Sequence, residues 1–421
     1  MILGRRVKIL FAVCLLSPLL VTVGGCSKKP EQKPVEPPLQ IGVSVGTLDE
    51  DMAQVVRKAL QERERQENAR IAWQDAKGDP ERQEKQVDEL IRRKVKAIII
   101  QLADPTMGPV LAQKVMEKNI KLVAVGTLPP DTPLDGYVAP DYFRMGELQG
   151  QFVTDQLKKG GPQGVLLLKG DPDDYITRQM TAGFAAVAGP AGLGVTERSN
   201  PGWEPAGAGT ATREAMLGKL GAVVAQSDEL LLAALKELEG QGQEEQVVTV
   251  GAGGGKEAAL AMAQGKHDAE ADAMPEMVAR YAYQAALDLV KTGRWEYDTK
   301  INNGNYDIPA KIVPTRLVEP ANLYLLEQRW GKLSGQARGQ GGQGETGGGQ
   351  EQGQQSQGQG SGQSKKGGSS GGKSGSKVKI KTKEGKTVEI QIDGEIESVQ
   401  IEKPEAPKGQ GGPEQGQGQG T

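Results

Sequence analysis

Residues 78–100 read GDPERQEKQVDELIRRKVKAIII, and this stretch already indicates the fold class. Asp79 followed by Pro80 is a helix start signal, and the apolar spacing carries the helix through Leu90 and Ile91. The apolar run that follows, at residues 95–102, predicts a strand. A helix that leads directly into a buried strand is the repeating unit of a parallel sheet covered by helices on both faces.

The same alternation of strand and helix extends in both directions from this stretch. It predicts one set of elements up to about residue 141 and a second set after it. Two sets in one chain indicate an α/β protein with two doubly wound parallel-sheet lobes. The further predicted strands are 39–45, 69–73, 122–125, 136–139, 164–168, 222–225 and 246–251, and the further helices are 51–66, 108–118, 146–158, 176–187 and 229–238.

The two lobes are expected to face each other across a cleft. Ligands of open parallel sheets bind at the carboxyl ends of the strands, so the loops that follow the strands should line this cleft. Crossings of the chain near Asp141, Ala269 and Asn302 would form a hinge on which the cleft opens and closes. The predicted boundaries are 39–141 with 270–302 for lobe 1, and 142–269 with 303–333 for lobe 2.

The N-terminus has the pattern of an export signal. Arg5, Arg6 and Lys8 precede an apolar run at residues 9–23, which ends on small residues before Cys26. We therefore interpret residues 1–26 as a lipoprotein signal peptide, with Cys26 as the acylated first residue of an extracytoplasmic protein anchored to the outer face of the cell membrane. The apolar run is short for a membrane span, but a single-pass anchor is the alternative.

Composition excludes several kinds of functional site. Cys14 lies inside the signal, so only Cys26 remains, and no disulfide, cysteine metal site or cysteine nucleophile is expected. His267 is the only histidine in 421 residues, which argues against histidine triads and histidine-rich metal sites. The net charge of −3 gives no electrostatic reason to expect nucleic acid as a partner.

The segments outside the two-lobe region differ in composition. Residues 27–38 are rich in Lys, Glu and Pro and predict a tether. Residues 334–377 are nearly all Gly, Gln and Ser and predict a disordered linker. Apolar residues then recur with a period of two at residues 378–402, which predicts a short three-stranded β meander. Residues 403–421 predict a disordered tail.

Several motifs follow one another in order along residues 39–321: IGVSVG, GDPERQEKQVDELIRRKVKAIII, NIKLVAV, YVAPDYFRMGELQG, RQMTAGF, PGWEP, AVVAQSDELLLAAL and INNGNYDIPAKIVPTRLVEPANL. Together they resemble the type 1 periplasmic sugar-binding proteins of ABC transporters. The last motif is similar to an element of the xylose-binding branch. The resemblance implies the two-lobe fold, a sugar or sugar-like ligand between the lobes, and an ABC permease as partner.

The resemblance also places three ligand-binding side chains in lobe 2. Arg178 falls on a basic ligand residue, Trp203 on an aromatic residue that stacks on the sugar, and Asp228 on an acid after a strand. A guanidinium offers fixed donors to hydroxyl oxygens, and an indole face suits the C–H side of a ring. The alternatives are a surface arginine paired with Asp173 or Asp174, a core tryptophan, and an aspartate that caps the next helix.

Other positions in lobe 1 depart from the pattern that the resemblance implies. In NIKLVAVGTLPP, the Asp-Arg pair expected after the strand is Gly126-Thr127. The Asn expected after Asp141 is Tyr142, and the basic residues expected near the first strand are Asp49 and its acidic neighbours. A helix N-terminus favours negative charge, which is the alternative explanation for those acids.

Lobe 2 departs in the same direction. The Asn expected before Asp228 is Ser227, and the Asp expected after Val250 is replaced by the run Gly253–Gly255. The sequence predicts no catalytic residue, no metal and no cofactor. The candidate ligand-binding residues are Arg178, Trp203, Asp228, Asp141, Tyr142, Asp49, Ser227 and Thr127.

Two functions remain open from the sequence. The first is a lipid-anchored substrate-binding protein of an ABC importer, which captures a small solute and presents it to a permease. The second is a non-transport ligand sensor or surface interaction protein with a degenerate sugar site, which the missing polar residues would favour. No pair of nucleophile and base can be assembled, so we do not expect an enzyme.

Overall fold

The computed structural model describes residues 37–160, 163–333, 376–381 and 387–392. The described residues fall into two units, one within residues 1–340 and the other within residues 341–421. The predicted signal peptide with Cys26, most of the predicted tether and linker, and the predicted tail lie outside the described residues. Among the described helices, none combines the length and the apolar character that a membrane span requires.

Strands and helices alternate through the first unit, in agreement with the predicted α/β class. In chain order the strands are β1 (Leu39–Val45), β2 (Ala69–Asp75), β3 (Ala97–Ile100), β4 (Lys121–Val125), β5 (Gly136–Pro140), β6 (Gly164–Lys169), β7 (Gly194–Ser199), β8 (Leu220–Ala225), β9 (Val248–Gly253), β10 (Ala269–Asp272), β11 (Thr299–Asn303), β12 (Tyr306–Val313) and β13 (Arg316–Val318).

The helices connect these strands. In chain order they are α1 (Glu50–Gln66), α2 (Pro80–Arg92), α3 (Gly108–Met116), α4 (Tyr142–Leu157), α5 (Tyr175–Ala188), α6 (Pro205–Met216), α7 (Asp228–Gly240), α8 (Lys256–Ala263), α9 (Pro275–Thr292) and α10 (Tyr324–Trp330). Short 3₁₀ turns lie at Pro105–Met107, Pro201–Trp203 and Pro320–Asn322.

Aspartates that follow strands start several of these helices. Asp79 accepts hydrogen bonds from the backbone N–H groups of Glu81 (3.0 Å) and Arg82 (3.1 Å), and Pro80 fills the next position, where no N–H is needed. Asp49 accepts from the Met52 N–H at 2.7 Å in the same way. Each cap satisfies a helix donor that has no partner within the helix, so helices begin close to the strand ends.

Lobe 1 is built on a seven-stranded sheet in the order β11-β12-β5-β4-β3-β1-β2. All neighbouring pairs are parallel except β11 and β12. Helices α1 and α9 cover one face and α2 and α3 the other, so strand residues are buried on both faces. The two cores include Ile41, Leu60 and Tyr283 on one side, and Leu90, Ile98 and Leu111 on the other.

Lobe 2 is built on a six-stranded sheet in the order β13-β10-β9-β8-β6-β7. All neighbouring pairs are parallel except β10 and β13. Helices α6 and α7 pack on one face around Leu231, and α4 and α5 pack on the other around Phe152 and Phe184. The two doubly wound lobes therefore have separate cores, as the fold class predicts.

The chain crosses between the sheets at residues 140–142, 272–275 and 313–316, and the last two crossings differ from the prediction. Strand β10, which the predicted boundaries assign to lobe 1, pairs with β9 in lobe 2. Strand β12, assigned to lobe 2, pairs with β5 in lobe 1. The cause is burial, because Ala271 packs in a lobe 2 cluster and Ile308 packs in a lobe 1 cluster.

A buried carboxylate joins the second and third crossings. Asp272, at the end of β10, accepts hydrogen bonds from Arg316 Nε at 3.0 Å and from Arg329 Nη2 at 2.7 Å. The Arg329 side chain is 2% exposed, and it also donates to Glu276 of α9 and to the Gly254 carbonyl oxygen. Arg329 lies on α10 of lobe 2 and Glu276 on a lobe 1 helix, so this network spans both lobes beside the hinge.

In the second unit, the structure describes a two-stranded antiparallel pair, β14 (Ser376–Lys381) and β15 (Thr387–Ile392). Val378 lies opposite Ile390, and Ile380 lies opposite Val388. These are the first two strands of the predicted meander. The third predicted strand, near Ile396 and Ile401, lies outside the described residues.

We predict that residues 334–421 can be removed without destabilising the two-lobe unit, because that segment has few apolar side chains to add to a core. Leu333, which is 5% exposed, packs with Leu326 and Val318 and closes the last core cluster. Thermal melts of chains that end at residue 333 and at residue 421 should give melting temperatures within about 2 °C of each other.

A chain that ends at residue 322 tests the same boundary from the other side. It lacks α10 and leaves the Asp272 carboxylate with one arginine, which should lower stability by roughly 3–5 kcal/mol. Arg329→Leu should reproduce most of that loss. Arg280→Leu is the matched control, because Arg280 forms an exposed ion pair with Glu62 and should change stability by less than about 1 kcal/mol. A melting temperature that drops on removal of 334–421 alone would contradict the prediction.

Candidate functional site

The candidate site lies where strand-tip loops of the two lobes meet. Thr127, after β4 in lobe 1, donates a hydrogen bond from Oγ1 to Asp174 Oδ1 of lobe 2 at 2.5 Å. Lys256 Nζ, at the start of α8, lies 2.9 Å from Asp51 Oδ2 of α1. In this structure the protein's own side chains therefore connect the lobes across the cleft.

Asp174 is the residue on which the site is centred. It caps α5 by accepting from the Ile176 N–H at 3.0 Å. Its other oxygen, Oδ2, accepts from Trp203 Nε1 at 3.1 Å. One carboxylate thus joins a helix start, the lobe 1 residue Thr127 and the lobe 2 residue Trp203. The sequence prediction considered Asp174 only as a surface partner for Arg178 and missed this role.

The ring of Trp203 is held in place on lobe 2. The residue is half-buried, packs against the lobe 2 core, and has a left-handed backbone with φ +62° directly after Gly202 at +64°. A Cβ added to Gly170 would come within 2.3 Å of the indole, so only glycine leaves room for this ring. Trp203 therefore has both a core contact and a polar contact towards the cleft, and its role in stacking on a ligand stays a prediction.

Arg178 and Trp203 do not share a partner. The Arg178 side chain is exposed, and its Nη1 donates to the backbone carbonyl oxygen of Asp173 at 2.5 Å. The alternative of a pair with the Asp173 or Asp174 carboxylate is not what the structure shows. An exposed guanidinium held by one backbone oxygen keeps donors on the other nitrogens, which a ligand could accept.

Three tyrosines lie beside Asp174. Tyr137, fully buried on β5, donates from its hydroxyl to the Gly126 carbonyl oxygen at 2.6 Å, and its ring meets Tyr175 of lobe 2 edge to face with centroids 6.2 Å apart. Burial, and next the Asp174 charge, raise the pKa of Tyr142, so that its hydroxyl stays protonated. The sequence analysis named Tyr142 but missed Tyr137 and Tyr175, whose contact forms only across the lobes.

Asp49 and Asp141 lie at strand tips of lobe 1 as helix caps. Asp49 is exposed at the start of α1, where it caps Met52. Asp141 starts α4 at the first crossing and accepts from the Arg144 N–H at 2.9 Å. The helix-start explanation accounts for both carboxylates without a ligand.

Ser227, rather than Asp228, caps α7. Ser227 Oγ accepts from the Leu230 N–H at 3.3 Å, and Asp228 is the first residue of the helix. The predicted alternative that Asp228 is the cap is therefore incorrect. Asp228 Oδ2 instead accepts from the Gly255 N–H at 3.0 Å, and the Asp228 carboxyl group lies within hydrogen-bonding reach of the Glu270 carboxyl group.

The glycine run after β9 lets the backbone approach Asp228 closely. A Cβ on Gly253 would lie 2.1 Å from Asp228 Oδ2, and Gly253 has φ +138°. Burial, and then the charges of Glu270 and Glu229, raise the pKa of Asp228 well above its usual range. The run that replaces the expected aspartate therefore surrounds a different carboxyl group, which it shields from water.

Glu270 and His267 extend this buried cluster beneath the cleft. Glu270 Oε2 accepts from the Gly254 N–H at 3.3 Å, and its Oε1 lies 2.8 Å from His267 Nε2. His267 Nδ1 lies 2.9 Å from Thr249 Oγ1. Burial raises the pKa of Glu270 to about 8, with the Asp272 charge contributing, and burial lowers the pKa of His267 to about 4. At neutral pH the contact is therefore a hydrogen bond between uncharged groups.

Two further observations concern metal binding and a second groove on lobe 2. No group of three or more His, Cys, Asp or Glu side chains arranged for a metal ion occurs within the described ranges. A groove of about 320 Å³ lies at the other end of the lobe 2 sheet, where Gly164 and Leu220 begin β6 and β8. It shares no residue with the candidate site, so its size does not make it the ligand site.

Two doubly wound lobes, three crossings and a cleft lined by strand-tip loops define a type 1 periplasmic binding protein. The periplasmic binding protein domain family matches residues 41–294, which run from β1 to the end of α9 and include both lobes. Because the match covers more than half of the chain, the protein belongs to this family. The predicted fold class is confirmed.

Known relatives cover most of the two-lobe region. The chain is 25% identical over 291 residues to a ribose import binding protein of Bacillus subtilis, a match that covers 67% of this chain and 93% of the relative. It is 26% identical over 317 residues to a D-xylose-binding periplasmic protein of Escherichia coli, covering 73% and 91%. The predicted resemblance to these proteins is thus confirmed.

Solved structures share the fold. A solute-binding protein of an ABC transporter from Clostridium phytofermentans, with bound β-D-glucose, superposes with a TM-score of 0.62 at 18% identity, covering 69% of this chain and 97% of that one. One from Bacillus halodurans, with bound myo-inositol, gives a TM-score of 0.58 at 20% identity, covering 70% and 100%. At these identities the likeness concerns the fold alone.

The buried cluster generates a prediction about pH. Because the folded pKa of Glu270 is about 8 and its ordinary value is 4.5, the folded protein keeps a proton that the unfolded chain has lost between those values. The contribution of Glu270 to wild-type stability should therefore fall as pH rises through that window and level off above it, while His267, whose pKa is lowered, acts in the opposite direction below its ordinary value of 6.5. An amide side chain cannot titrate, so the stability of Glu270→Gln relative to the wild type should increase over the same window, by on the order of a few kcal/mol.

Denaturant melts at pH 5, 7 and 9 would measure this difference. Glu257→Gln is the matched control, because Glu257 is exposed at the start of α8 and its replacement should leave the pH profile unchanged. A Glu270→Gln profile parallel to that of the wild type would show that Glu270 is ionised in the folded protein.

Proposed function

We propose that this protein is a lipid-anchored, extracytoplasmic substrate-binding protein of an ABC importer, which captures a sugar or sugar-like solute in the cleft between its lobes. The observation that supports this most directly is the contact of Asp174 with both Thr127 and Trp203, because it puts hydrogen-bonding side chains of both lobes at one place in the cleft. The family and the named sugar-binding relatives support the solute class and the transporter partner.

Capture would work by hinge closure. The three crossings are short, and the chain on either side of each belongs to a separately packed core, so the lobes can move as rigid bodies. A solute that contacts both lobes binds the closed form more tightly than the open form. The difference between these two affinities sets how far the population shifts towards the closed form. The closed form would then be the one that a permease recognises.

The membrane anchor is supported by the sequence pattern before Cys26. We predict that the mature protein begins at Cys26 and carries lipid there. Cys26→Ser should give an uncleaved or soluble protein, because the acylated side chain is lost. Cell fractionation and mass spectrometry of the N-terminal peptide would measure this. An unmodified Cys26 in the membrane fraction would refute the anchor, and a neighbouring Ser27→Ala variant should be acylated as the wild type is.

The loss of polar residues predicts weak xylose binding. The expected Asp-Arg pair is Gly126-Thr127, and lobe 2 has Ser227 and the glycine run in place of an Asn and an Asp, so about four hydrogen-bonding side chains are missing. At roughly 1.5 kcal/mol for each bond to a charged group and less for a neutral one, the loss is on the order of 4–6 kcal/mol. That corresponds to about three to four decades in affinity.

Calorimetry with D-xylose and related pentoses would test this expectation, and tight xylose binding would overturn it. The ligand-binding role of Trp203 and Arg178 is tested by Trp203→Ala and Arg178→Ala. Each should weaken the binding of a captured solute at least about tenfold if it contacts the solute. Arg213→Ala is the matched control, because Arg213 is exposed on α6 and its side chain bonds to Glu237 of α7 and to Thr210.

A non-transport role is the second candidate, and one observation favours it. The Thr127–Asp174 and Asp51–Lys256 contacts join the lobes through the protein's own side chains, without a solute. A protein that signals by binding a partner could use such contacts. Permease and ATPase genes beside this gene would support import, whereas a neighbouring sensor kinase gene would support signalling. Uptake of labelled solute that depends on this gene would exclude the second candidate.

A further inference from the structure

One contact between the lobes has the chemistry of a sugar hydroxyl bound to a carboxylate. Thr127 of lobe 1 is 7% exposed, and its Oγ1 donates to Asp174 Oδ1 of lobe 2 at 2.5 Å. The threonine side chain is a secondary alcohol, and most hydroxyl groups on a sugar ring are secondary alcohols as well. Thr127 therefore supplies to Asp174 the kind of donor that a ring hydroxyl of a solute would supply.

Two further hydrogen bonds hold the Asp174 carboxylate on lobe 2. Oδ1 accepts from the Ile176 N–H at 3.0 Å, and Oδ2 accepts from Trp203 Nε1 at 3.1 Å. Both bonds form within lobe 2, so they do not depend on the position of lobe 1. An ionised carboxylate has about four acceptor positions. When the lobes separate, Asp174 therefore keeps its orientation and gains a free acceptor position where Thr127 was bound.

The indole of Trp203 is fixed beside this carboxylate. The Gly202 N–H donates to Asp171 Oδ2 at 2.8 Å and holds the turn that carries the ring. Gly170 leaves room for the indole, and the indole N–H bonds to Asp174. An indole face packs well on the C–H side of a sugar ring. Lobe 2 thus offers an acceptor for a hydroxyl group and a surface for ring packing side by side.

A solute ring cannot lie between Thr127 and Asp174 while their oxygens are 2.5 Å apart. Open space lies beside this contact, because Gly126 and Tyr142 line a cavity of about 190 Å³ at the carboxyl ends of the lobe 1 strands. The wall of the cavity is nearly aliphatic, so it offers few hydrogen-bonding partners to a hydroxyl group. A sugar that enters here gains most by bonding to Asp174 in exchange for Thr127.

We propose that Asp174 binds a ring hydroxyl of the solute and that this hydroxyl takes the place of Thr127. In this scheme Thr127, one of the predicted ligand-binding residues, is a competitor that the solute must displace. The inference rests on the proposed function as a sugar-binding protein and names the residue through which lobe 2 selects the solute.

The charge around Asp174 narrows the solute class to uncharged sugars and cyclitols. Asp171 and Asp173 lie in the same loop, so three carboxylates fall within four residues. Arg178 is exposed and donates to the Asp173 carbonyl oxygen, so it supplies one positive charge nearby. A carboxylate on the solute would therefore meet more negative than positive charge, and like charges brought together lower the affinity.

The test uses the chain from residue 26 to residue 421 with Cys26→Ser, so that no detergent is needed. Calorimetry compares D-glucose and myo-inositol, which are uncharged, with D-glucuronate, which has the ring of D-glucose and carries a carboxylate. At least one uncharged probe should bind about tenfold more tightly than D-glucuronate, or better. Thr127→Val keeps the side-chain shape and removes the competing hydroxyl, so it should tighten that probe about three- to tenfold.

Asp174→Asn separates a direct contact with the solute from a role in positioning Trp203. Asparagine can still cap α5, but the negative charge and one acceptor oxygen are lost. Binding of the uncharged probe should weaken at least about tenfold, and its preference over D-glucuronate should fall by a similar factor. A carboxylate that only positioned Trp203 would weaken both probes by the same factor. In the double variant, Thr127→Val should no longer tighten binding.

Two matched controls isolate these effects. Thr212→Val removes a buried hydroxyl on α6 that donates to the Ala208 carbonyl oxygen of the same helix at 2.8 Å. Asp173→Asn removes a charge directly before Asp174, and the exposed Asp173 carboxylate accepts no hydrogen bond from the described residues. Both controls should leave the affinity for the uncharged probes within about twofold of the wild type.

The outcomes separate the inference from the function on which it rests. D-glucuronate that binds as tightly as the uncharged probes would overturn the inference and leave the solute-binding function standing. Weaker binding in Thr127→Val would also overturn it, because Thr127 would then be a partner of the solute. If no probe binds either the wild type or Thr127→Val, the inference is overturned, and dependence of solute uptake on the gene decides the function separately.

Discussion

The carboxylate of Asp272 is the group on which the arrangement of the two lobes most depends. It is fully buried at the second crossing, and two guanidinium groups, from Arg316 and Arg329, compensate its charge. Its Oδ1 also accepts from the N–H of Met274, a non-glycine residue with φ +53°. Removal of one partner of a buried ion pair typically costs about 3–5 kcal/mol, because the other charge stays buried. The strained backbone of the crossing is thus held by the same group that joins β10, β13 and α10.

This arrangement restricts where the protein can bend. The Asp272 network fixes the second and third crossings to each other, and Arg329 adds a contact to Glu276 in lobe 1. At the first crossing, Asp141 caps α4 and its backbone N–H donates to the Val313 carbonyl oxygen of the third crossing. At the cleft edge, Thr127 is buried where it contacts Asp174, whereas the side chains of Asp51 and Lys256 are partly exposed, so water can replace their contact more easily. Opening would therefore break the cleft-edge contacts while the hinge network stays intact.

The sequence predicted the central strands and the helices between them, because their apolar periodicity and aspartate caps are local signals. It misassigned β10 and β12, since the choice of sheet depends on long-range pairing that no local pattern encodes. At the site, it named Tyr142, Thr127 and Asp228 but missed Tyr137, Tyr175 and Glu270. Their roles arise only where the lobes or strands meet in space. The acids Asp49 and Asp141 cap helices, as the alternative explanation for the acids near the first strand has it, and their role as ligand-binding residues stays a prediction.

The two lobes offer different chemistry to anything that enters the cleft. Lobe 2 contributes Asp174 and Trp203, which hydrogen-bond to each other at the cleft. Lobe 1 contributes Gly126, Thr127 and a nearly aliphatic cavity. Hydroxyl groups of a solute therefore have more hydrogen-bonding partners on lobe 2 than on lobe 1. With Gly126-Thr127 in place of the expected charged pair, lobe 1 keeps a single hydroxyl at this strand tip, and that hydroxyl already donates to Asp174 of lobe 2, so a solute that binds there must compete with a contact between the lobes.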